Sequence, residues 1–322
     1  MFQLLAAGLA SMLITLFLGP KFISFVKKNE FGQQIREEGP KQHATKRGIP
    51  TMGGLLIIIG MMTPFFILSE WSIKSLLVVM TTLGCGAIGF ADDFAKIRMK
   101  RSLGLRARGK LGLQLGLAVI VGLIAVRYAD ISETISVPMT NRGIDVGIAY
   151  YFFIFLWIAF FSNAVNLTDG LDGLAAGSVA VTMLTYMAIA FLTDQNDLGL
   201  ISACLVGACV GFLWFNSFPA EIFMGDTGSL AMGGAIAAMA ILTQTEILLL
   251  VIGAIFVAEA ASVIIQVISF KATGKRIFLM TPIHHHFELM AWSETKIIMR
   301  FWIVSAIFAS TGFTIFYLST GR

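Results

Sequence analysis

The chain of 322 residues is 57% hydrophobic and only 13% charged, against roughly 25% charged residues in an ordinary water-soluble domain. That balance excludes a soluble enzyme and points to an all-α polytopic membrane protein, with residues 1–322 forming a single integral membrane domain. The net charge of +4 could suit nucleic acid, but the basic residues stand in short blocks between apolar runs; the excess therefore concerns orientation in a membrane, and no nucleic-acid partner is expected.

A helix crosses the hydrocarbon core with about 20 apolar residues. On that measure spans are predicted near 2–25, 51–68, 73–91, 110–127, 149–166, 174–192, 198–215, 229–244, 247–270 and 297–318, about ten in all. The first run has no positive segment before it and meets Lys21, Lys27 and Lys28 at its far end, which predicts an uncleaved span instead of a signal peptide. Cys85, Cys204 and Cys209 sit inside apolar runs without paired spacing, so they are read as small packing residues.

Ten spans put both termini on one side and the links 26–50, 92–109, 167–173, 216–228 and 271–296 on the other. Assigned to their nearest loops, 19 of the 23 Lys and Arg residues belong to those five links. The positive-inside rule makes the five links cytoplasmic and the termini external. The external loops are short and bland; the 130–148 stretch, with Pro138 and Gly143, is expected to form a small hairpin. No internal repeat is visible, which counts against an inverted-repeat transporter.

Chemistry gathers in the five links. Lys46 and Thr51 flank the second span. Asp92 and Asp93 end the third, two adjacent carboxylates whose repulsion makes sense beside a divalent cation or a basic partner, although such a pair alone also suits a solvated helix end. Lys96, Lys100, Arg106, Arg108 and Lys110 surround them, some as orientation signals against anionic lipid and some placed to neutralise a lipid phosphate or a diphosphate. The third link runs Asn163-Ala164-Val165-Asn166-Leu167-Thr168-Asp169-Gly170-Leu171-Asp172-Gly173. It holds more Asn, Asp and Gly than a tight turn needs, and glycine admits close backbone approach while Asn and Asp offer oxygen ligands.

The fourth link holds Phe223-Met224-Gly225-Asp226-Thr227-Gly228-Ser229, with Asp226 at a predicted helix start. Exposed amides there favour phosphate and the carboxylate favours its metal, while capping by Asp226 or Thr227 is a compatible simpler role. The last link carries His284-His285-His286 before Phe287-Glu288; adjacent imidazoles rarely reach one ion, so hydrogen bonding to an anionic substrate fits them better. Glu259 and Gln266 lie seven apart on one helical face, either in interhelical packing or on a pocket wall, with Gln266 nearer the cytoplasmic end. Carboxylates at membrane depth are costly, so three acidic links on one face predict one pocket. Its oxygen donors suit magnesium.

Pro50-Thr51-Met52-Gly53-Gly54, Ala91-Asp92-Asp93-Phe94, the 163–173 run, Gly225-Asp226-Thr227-Gly228-Ser229 and Pro282-Ile283-His284-His285-His286-Phe287-Glu288 stand in one order along the whole chain. Together they closely resemble the phospho-N-acetylmuramoyl-pentapeptide transferase (MraY) family of the polyprenyl-phosphate N-acetylhexosamine-1-phosphate transferases. The first and last of these motifs look unlike the relatives that transfer N-acetylglucosamine phosphate.

The resemblance implies transfer from UDP-N-acetylmuramoyl-pentapeptide to undecaprenyl phosphate, yielding lipid I and UMP for peptidoglycan, with Mg2+ required. It further implies ten spans, external termini, a bacterial inner-membrane location and a homodimer. By the same resemblance Asp226 is a magnesium ligand, Asp92 the carboxylate proposed to deprotonate the lipid phosphate, and Asp93 its neighbour, with both also candidates for the metal. Lys110, His284 and His285 are implied in catalysis. Lys46, Thr51, Asn166, Asp169, Asp172, Asn216, Phe223, Gly225, Gln266 and His286 match substrate and nucleoside positions, with Phe223 placed to stack on uracil. Direct attack by the lipid phosphate is the expected route, and a two-step route through an aspartyl-phosphate on Asp92 or Asp93 stays open.

Overall fold

Apolar helices dominate the computed structural model, which describes residues 1–28, 48–99, 104–140 and 142–321. In chain order these are α1 (Phe2–Lys28), α2 (Gly54–Leu68), α3 (Ile73–Arg98), α4 (Ala107–Tyr128), a small hairpin of β1 (Thr134–Ser136) and β2 (Gly143–Asp145), α5 (Ala149–Thr168), α6 (Leu174–Leu192), α7 (Asn196–Asn216), α8 (Gly225–Leu242), α9 (Glu246–Ile252), α10 (Ala254–Thr273), α11 (Ile283–Leu289) and α12 (Glu294–Ser319). Among the described residues nine helices are long and apolar enough to cross a membrane, and the 15-residue α2 is a shorter apolar helix. The protein is therefore a multi-pass membrane protein. The hairpin expected in 130–148 is present, antiparallel, with Ile135 opposite Ile144.

Two elements differ from the sequence expectation. The ninth span is broken: α9 ends at Ile252 and α10 starts at Ala254, with Gly253 between them as the C-cap of one and the N-cap of the other. The third helix continues to Arg98 instead of stopping near 91. Its extra residues, at 1.5 Å of rise each, carry Asp92, Asp93 and Lys96 on one rigid rod. Lys96 pairs with Asp92 one turn away, an i,i+4 arrangement that favours continuing the helix.

Small residues line the faces where helices meet most closely, as expected where lipid is the solvent, while Tyr150, Tyr186, Phe161 and Phe212 are among the large side chains that fill the core. In α1, Leu4, Ala7, Ser11, Thr15 and Gly19 form the buried stripe, while Leu5, Leu9, Leu13 and Phe17 are exposed. Ser11 Oγ lies 2.6 Å from the carbonyl of Cys204 and 2.8 Å from that of Gly60, within reach of α7 and α2 together. The three cysteines are buried and unpaired. Helix α8 is the centre, buried without interruption from Thr227 through Leu242. Its run of Gly and Ala is only modestly hydropathic because the helix meets other helices on all sides and needs closeness more than greasiness.

Backbone approach is closest where α1 crosses α7. A Cβ on Gly207 would overlap the carbonyl oxygen of Gly8. Gly207→Ala should therefore force the two helices apart and cost about 1–3 kcal/mol, as overpacking of a tight interior does. The check is the thermal unfolding midpoint of detergent-solubilised protein; a midpoint equal to wild type would show that this crossing yields without cost.

Candidate active site

The site is built around the first turn of α8. The strand-like segments before α2 and α8 pair through their backbones: Phe223 N–H donates to Pro50 O at 2.8 Å, Gly53 N–H to Phe223 O at 2.8 Å and Gly54 N–H to Met224 O at 2.9 Å. Gly54 and Gly228 then touch so closely that a Cβ on Gly54 would overlap the backbone of Gly228. Gly225 takes a left-handed φ of +73°, which a side chain would disfavour; a Cβ there would also lie 2.8 Å from both Asp93 Oδ2 and Thr51 Oγ1. On the other side, a Cβ on Gly89 would overlap the carbonyl of Asp226. Glycines thus let α2, α3 and α8 meet at one point.

Asp93 joins α3 to α8. Its Oδ1 accepts from Asp226 N–H at 3.2 Å, and its Oδ2 accepts from Thr227 N–H at 2.9 Å and from Thr227 Oγ1 at 2.7 Å. These amides belong to the first turn of α8, where no intrahelical acceptor exists, so Asp93 caps that helix from a neighbouring one. The helix dipole adds to the attraction.

Asp92 and Asp226 face each other across two ammonium groups. Lys96 Nζ lies 2.7 Å from Asp92 Oδ2 and 2.8 Å from Asp226 Oδ1, and Lys110 Nζ lies 3.2 Å from Asp92 Oδ1 and 2.5 Å from Asp226 Oδ2. Asp92 Oδ1 also accepts from Leu105 N–H at 2.7 Å, and Gly104 leaves room for this, since a Cβ there would lie 2.5 Å from the carboxylate. Asp92 and Asp93 are buried, whereas Asp226 is partly open. Oxygens of Asp92, Asp93 and Asp226 all lie within 4.8 Å of one another and could together hold a metal ion. The donors are all carboxylate oxygens, the set preferred by hard divalent cations, and Asp226 is the member with room for a ligand.

The end of α5 and the third link that follows it complete the site. Asn166 Nδ2 donates to Ser229 Oγ at 2.8 Å. Burial, together with the charges of Asp226, Asp93 and Asp172, pushes the Asp169 carboxyl well above the usual carboxylate range, opposed by a hydrogen bond from Gly225 N–H. Asp172 and Asn216 both bond to backbone groups around the site. Asp172 Oδ2 accepts from Ala220 N–H at 3.0 Å, and Asn216 accepts from Gly173 N–H at 3.0 Å while donating to Ile222 O at 2.8 Å. Glu294 Oε1 in turn accepts from Asp172 N–H at 3.0 Å, tying the link to α12.

The fifth link is organised by α10. Gln266 Oε1 accepts from Ile277 N–H at 2.9 Å and Phe278 N–H at 3.0 Å, and its Nε2 donates to Phe278 O at 2.9 Å. The Gln266 side chain thus braces this loop. Leu279 N–H donates to His286 Nδ1 at 3.2 Å, His285 Nδ1 lies 2.5 Å from Glu288 Oε2, and His284 Nδ1 lies 3.0 Å from Glu259 Oε1. Phe223 is half-buried, with its backbone held between Pro50 and Gly53. Lys46 lies outside the described residues.

Three contributors to this geometry have contacts that the sequence does not single out. Lys96 was legible, since it stands four residues after Asp92 on a helix. Thr227 could be read as a cap but not as a partner of Asp93, and nothing local to Glu294 tells that it reaches a distant link.

A helical membrane bundle with carboxylates and lysines gathered at the ends of its helices suits a membrane-embedded transferase, and similarity to known proteins gives that class. Residues 75–244 match the model for glycosyl transferase family 4, and residues 46–58 match the phospho-N-acetylmuramoyl-pentapeptide-transferase signature 1, a segment that includes Lys46 and Thr51. Proteins called phospho-N-acetylmuramoyl-pentapeptide-transferase from Halalkalibacterium halodurans and Anoxybacillus flavithermus are 50% and 49% identical to the chain, over 95% and 96% of both partners. One of the same name from Rubrobacter xylanophilus is 44% identical over 98% of both. The chain belongs to the phospho-N-acetylmuramoyl-pentapeptide-transferase family within glycosyl transferase family 4.

Thr227→Val should remove one of the bonds that seat Asp93 and lower stability by about 1 kcal/mol, measured as a fall in the unfolding midpoint; no fall would mean that the backbone amides suffice. Asp169 gives a pH dependence. The folded chain holds this proton where an unfolded one has released it, so its stabilisation is full below the ordinary carboxylate range and is lost as pH rises through the higher pKa of the folded protein. In chelator-treated protein, Asp169→Asn should flatten the fall of the midpoint with rising pH, and an unchanged slope would assign that fall to other groups.

Proposed function

We propose that the protein transfers phospho-N-acetylmuramoyl-pentapeptide from UDP-N-acetylmuramoyl-pentapeptide to undecaprenyl phosphate, forming lipid I and UMP for peptidoglycan synthesis. The observation that carries this is kinship along nearly the whole chain with relatives bearing that name. The Asp92, Asp93, Asp226, Lys96 and Lys110 cluster supplies the chemistry such a reaction needs. The site faces the cytoplasm of a bacterial inner membrane, as supported by the concentration of Lys and Arg in its links, and the enzyme works as a homodimer.

In the reaction an oxygen of the lipid phosphate bonds to the β-phosphorus of the nucleotide. The bond from that phosphorus to the bridging oxygen breaks, and UMP leaves with the electron pair. Positioning and charge neutralisation provide most of the rate in such transfers. Asp226, with Asp92 beside it, would hold Mg2+, which when bound offsets negative charge on the diphosphate. Lys96 and Lys110 stand against the same carboxylates and are placed to turn an ammonium group toward phosphate oxygens. Asp93 has both oxygens committed to the start of α8, which favours direct attack over a covalent intermediate on that residue. A lipid phosphate is largely ionised at neutral pH, so Asp92 serves to place the lysines and the metal more than to remove a proton.

The test is UMP release by purified protein supplied with undecaprenyl phosphate, Mg2+ and either UDP-N-acetylmuramoyl-pentapeptide or UDP-N-acetylglucosamine. Release should occur with the first nucleotide alone, stop with chelator, and fall at least a hundredfold in Asp226→Asn, on the order expected when a transition-state charge loses its partner. Release only with the second nucleotide would move the chain to the sister specificity.

A further inference from the structure

Glu259 sits in the buried part of α10, and His284 near the start of α11; both are wholly shielded from solvent. His284 Nδ1 is 3.0 Å from Glu259 Oε1, and neither His284 Nε2 nor Glu259 Oε2 has a hydrogen-bond partner. The ring edge that carries Nε2 is pressed against Gly170, where a Cβ would overlap it. Gly170 follows Asp169 in the acidic link, and Asn166, in the last turn of α5 just before it, bonds to Ser229 of α8.

The protonation of the ring follows from these contacts. A carboxylate facing Nδ1 draws the proton there, which leaves Nε2 with its lone pair. A buried N–H without an acceptor is rarer and costlier than a buried acceptor without a donor, so the same tautomer suits the Gly170 side. The ring is thus fixed in place by Glu259 and presents a proton-free edge to the link. Removal of the carboxylate would let the imidazole rotate or change tautomer, and the link resting on it would shift.

We propose that Glu259 is a positioning residue for the reaction: through the Nδ1–H of His284 it fixes that ring beneath Gly170, and so sets the depth at which Asp169 and the adjoining end of α5, with Asn166, meet the acidic cluster. The effect on turnover rests on the transferase reading above, but the pairing itself does not. Glu259 is shielded from solvent and acts only through His284, while misplacement of a site by about 1 Å can cost on the order of a hundredfold in rate.

The experiment has a spectroscopic and a kinetic arm. Nitrogen NMR of histidine-labelled protein in lipid nanodiscs reads the tautomer; the chain has 4 histidines, and His284 is the signal missing from His284→Gln. In wild type its Nδ1 should be protonated and its Nε2 not, and in Glu259→Ala that pattern should be lost. UMP release by Glu259→Ala should fall about 10–100-fold in kcat, while Glu259→Gln, which keeps an acceptor for Nδ1–H, should stay within about threefold of wild type. A wild-type His284 carrying its proton on Nε2 overturns the proposal, as does a Glu259→Ala protein with wild-type kcat. If Glu259→Ala does not fold, the wild-type spectrum and the Gln variant still decide. An inactive wild type with the expected tautomer would instead count against the transferase reading and leave the pairing standing.

Discussion

The carboxylate of Asp93 seated on the first turn of α8 is the contact on which the rest of the site depends. A helix that starts within a bundle has amide groups with no intrahelical acceptor, and in a membrane protein water is not at hand to satisfy them. Asp93 meets two of them and the Thr227 hydroxyl. Because Asp93 is one residue from Asp92 on α3 and its partners include Asp226 itself, this single cap fixes the distance between the two carboxylates that face the lysines. A structural need and a chemical one are met by the same residue.

Charge balance follows from that placement. Three carboxylates brought within 4.8 Å of one another would repel strongly in a poorly hydrated setting. Lys96 and Lys110, from α3 and α4, lie between Asp92 and Asp226 and make their closeness tolerable. Both ammonium groups end flexible side chains and are held to the carboxylates by ion pairs. A site that must admit a highly charged nucleotide and release another benefits from partners that can change hands, whereas Asp93, bound to backbone, stays where it is.

Around this centre the remaining polar residues act as braces between links. Gln266 holds 277–278, Asn216 and Asp172 join the 167–173 link to the approach to α8, and Glu294 adds α12. Spacing along the chain placed Asp92, Asp169 and Asp226 on one face because each ends or begins an apolar span. It said nothing of which polar residues in those links turn inward to the scaffold. Asp172 has the same composition-based claim on a ligand as Asp169, yet its carboxylate accepts from Ala220 N–H before α8 while Asp169 meets Gly225 N–H at the start of α8. The break at Gly253 was likewise hidden, since the hydropathy of 247–270 runs on through it.

The amino-acid sequence alone determined the membrane setting, most of the spans, the small hairpin and the links in which acidic, glycine-rich chemistry gathers. These are local properties: hydropathy over about 20 residues decides what enters lipid, and charged groups must lie where spans end. Tertiary structure decided that Asp93 caps α8, that Lys96 and Lys110 converge on Asp92 and Asp226, and that Glu259 reaches His284. Such pairings depend on the rotation and separation of helices distant in sequence. Those are set by close contacts such as Gly54 with Gly228 and Gly8 with Gly207, and no local pattern encodes them.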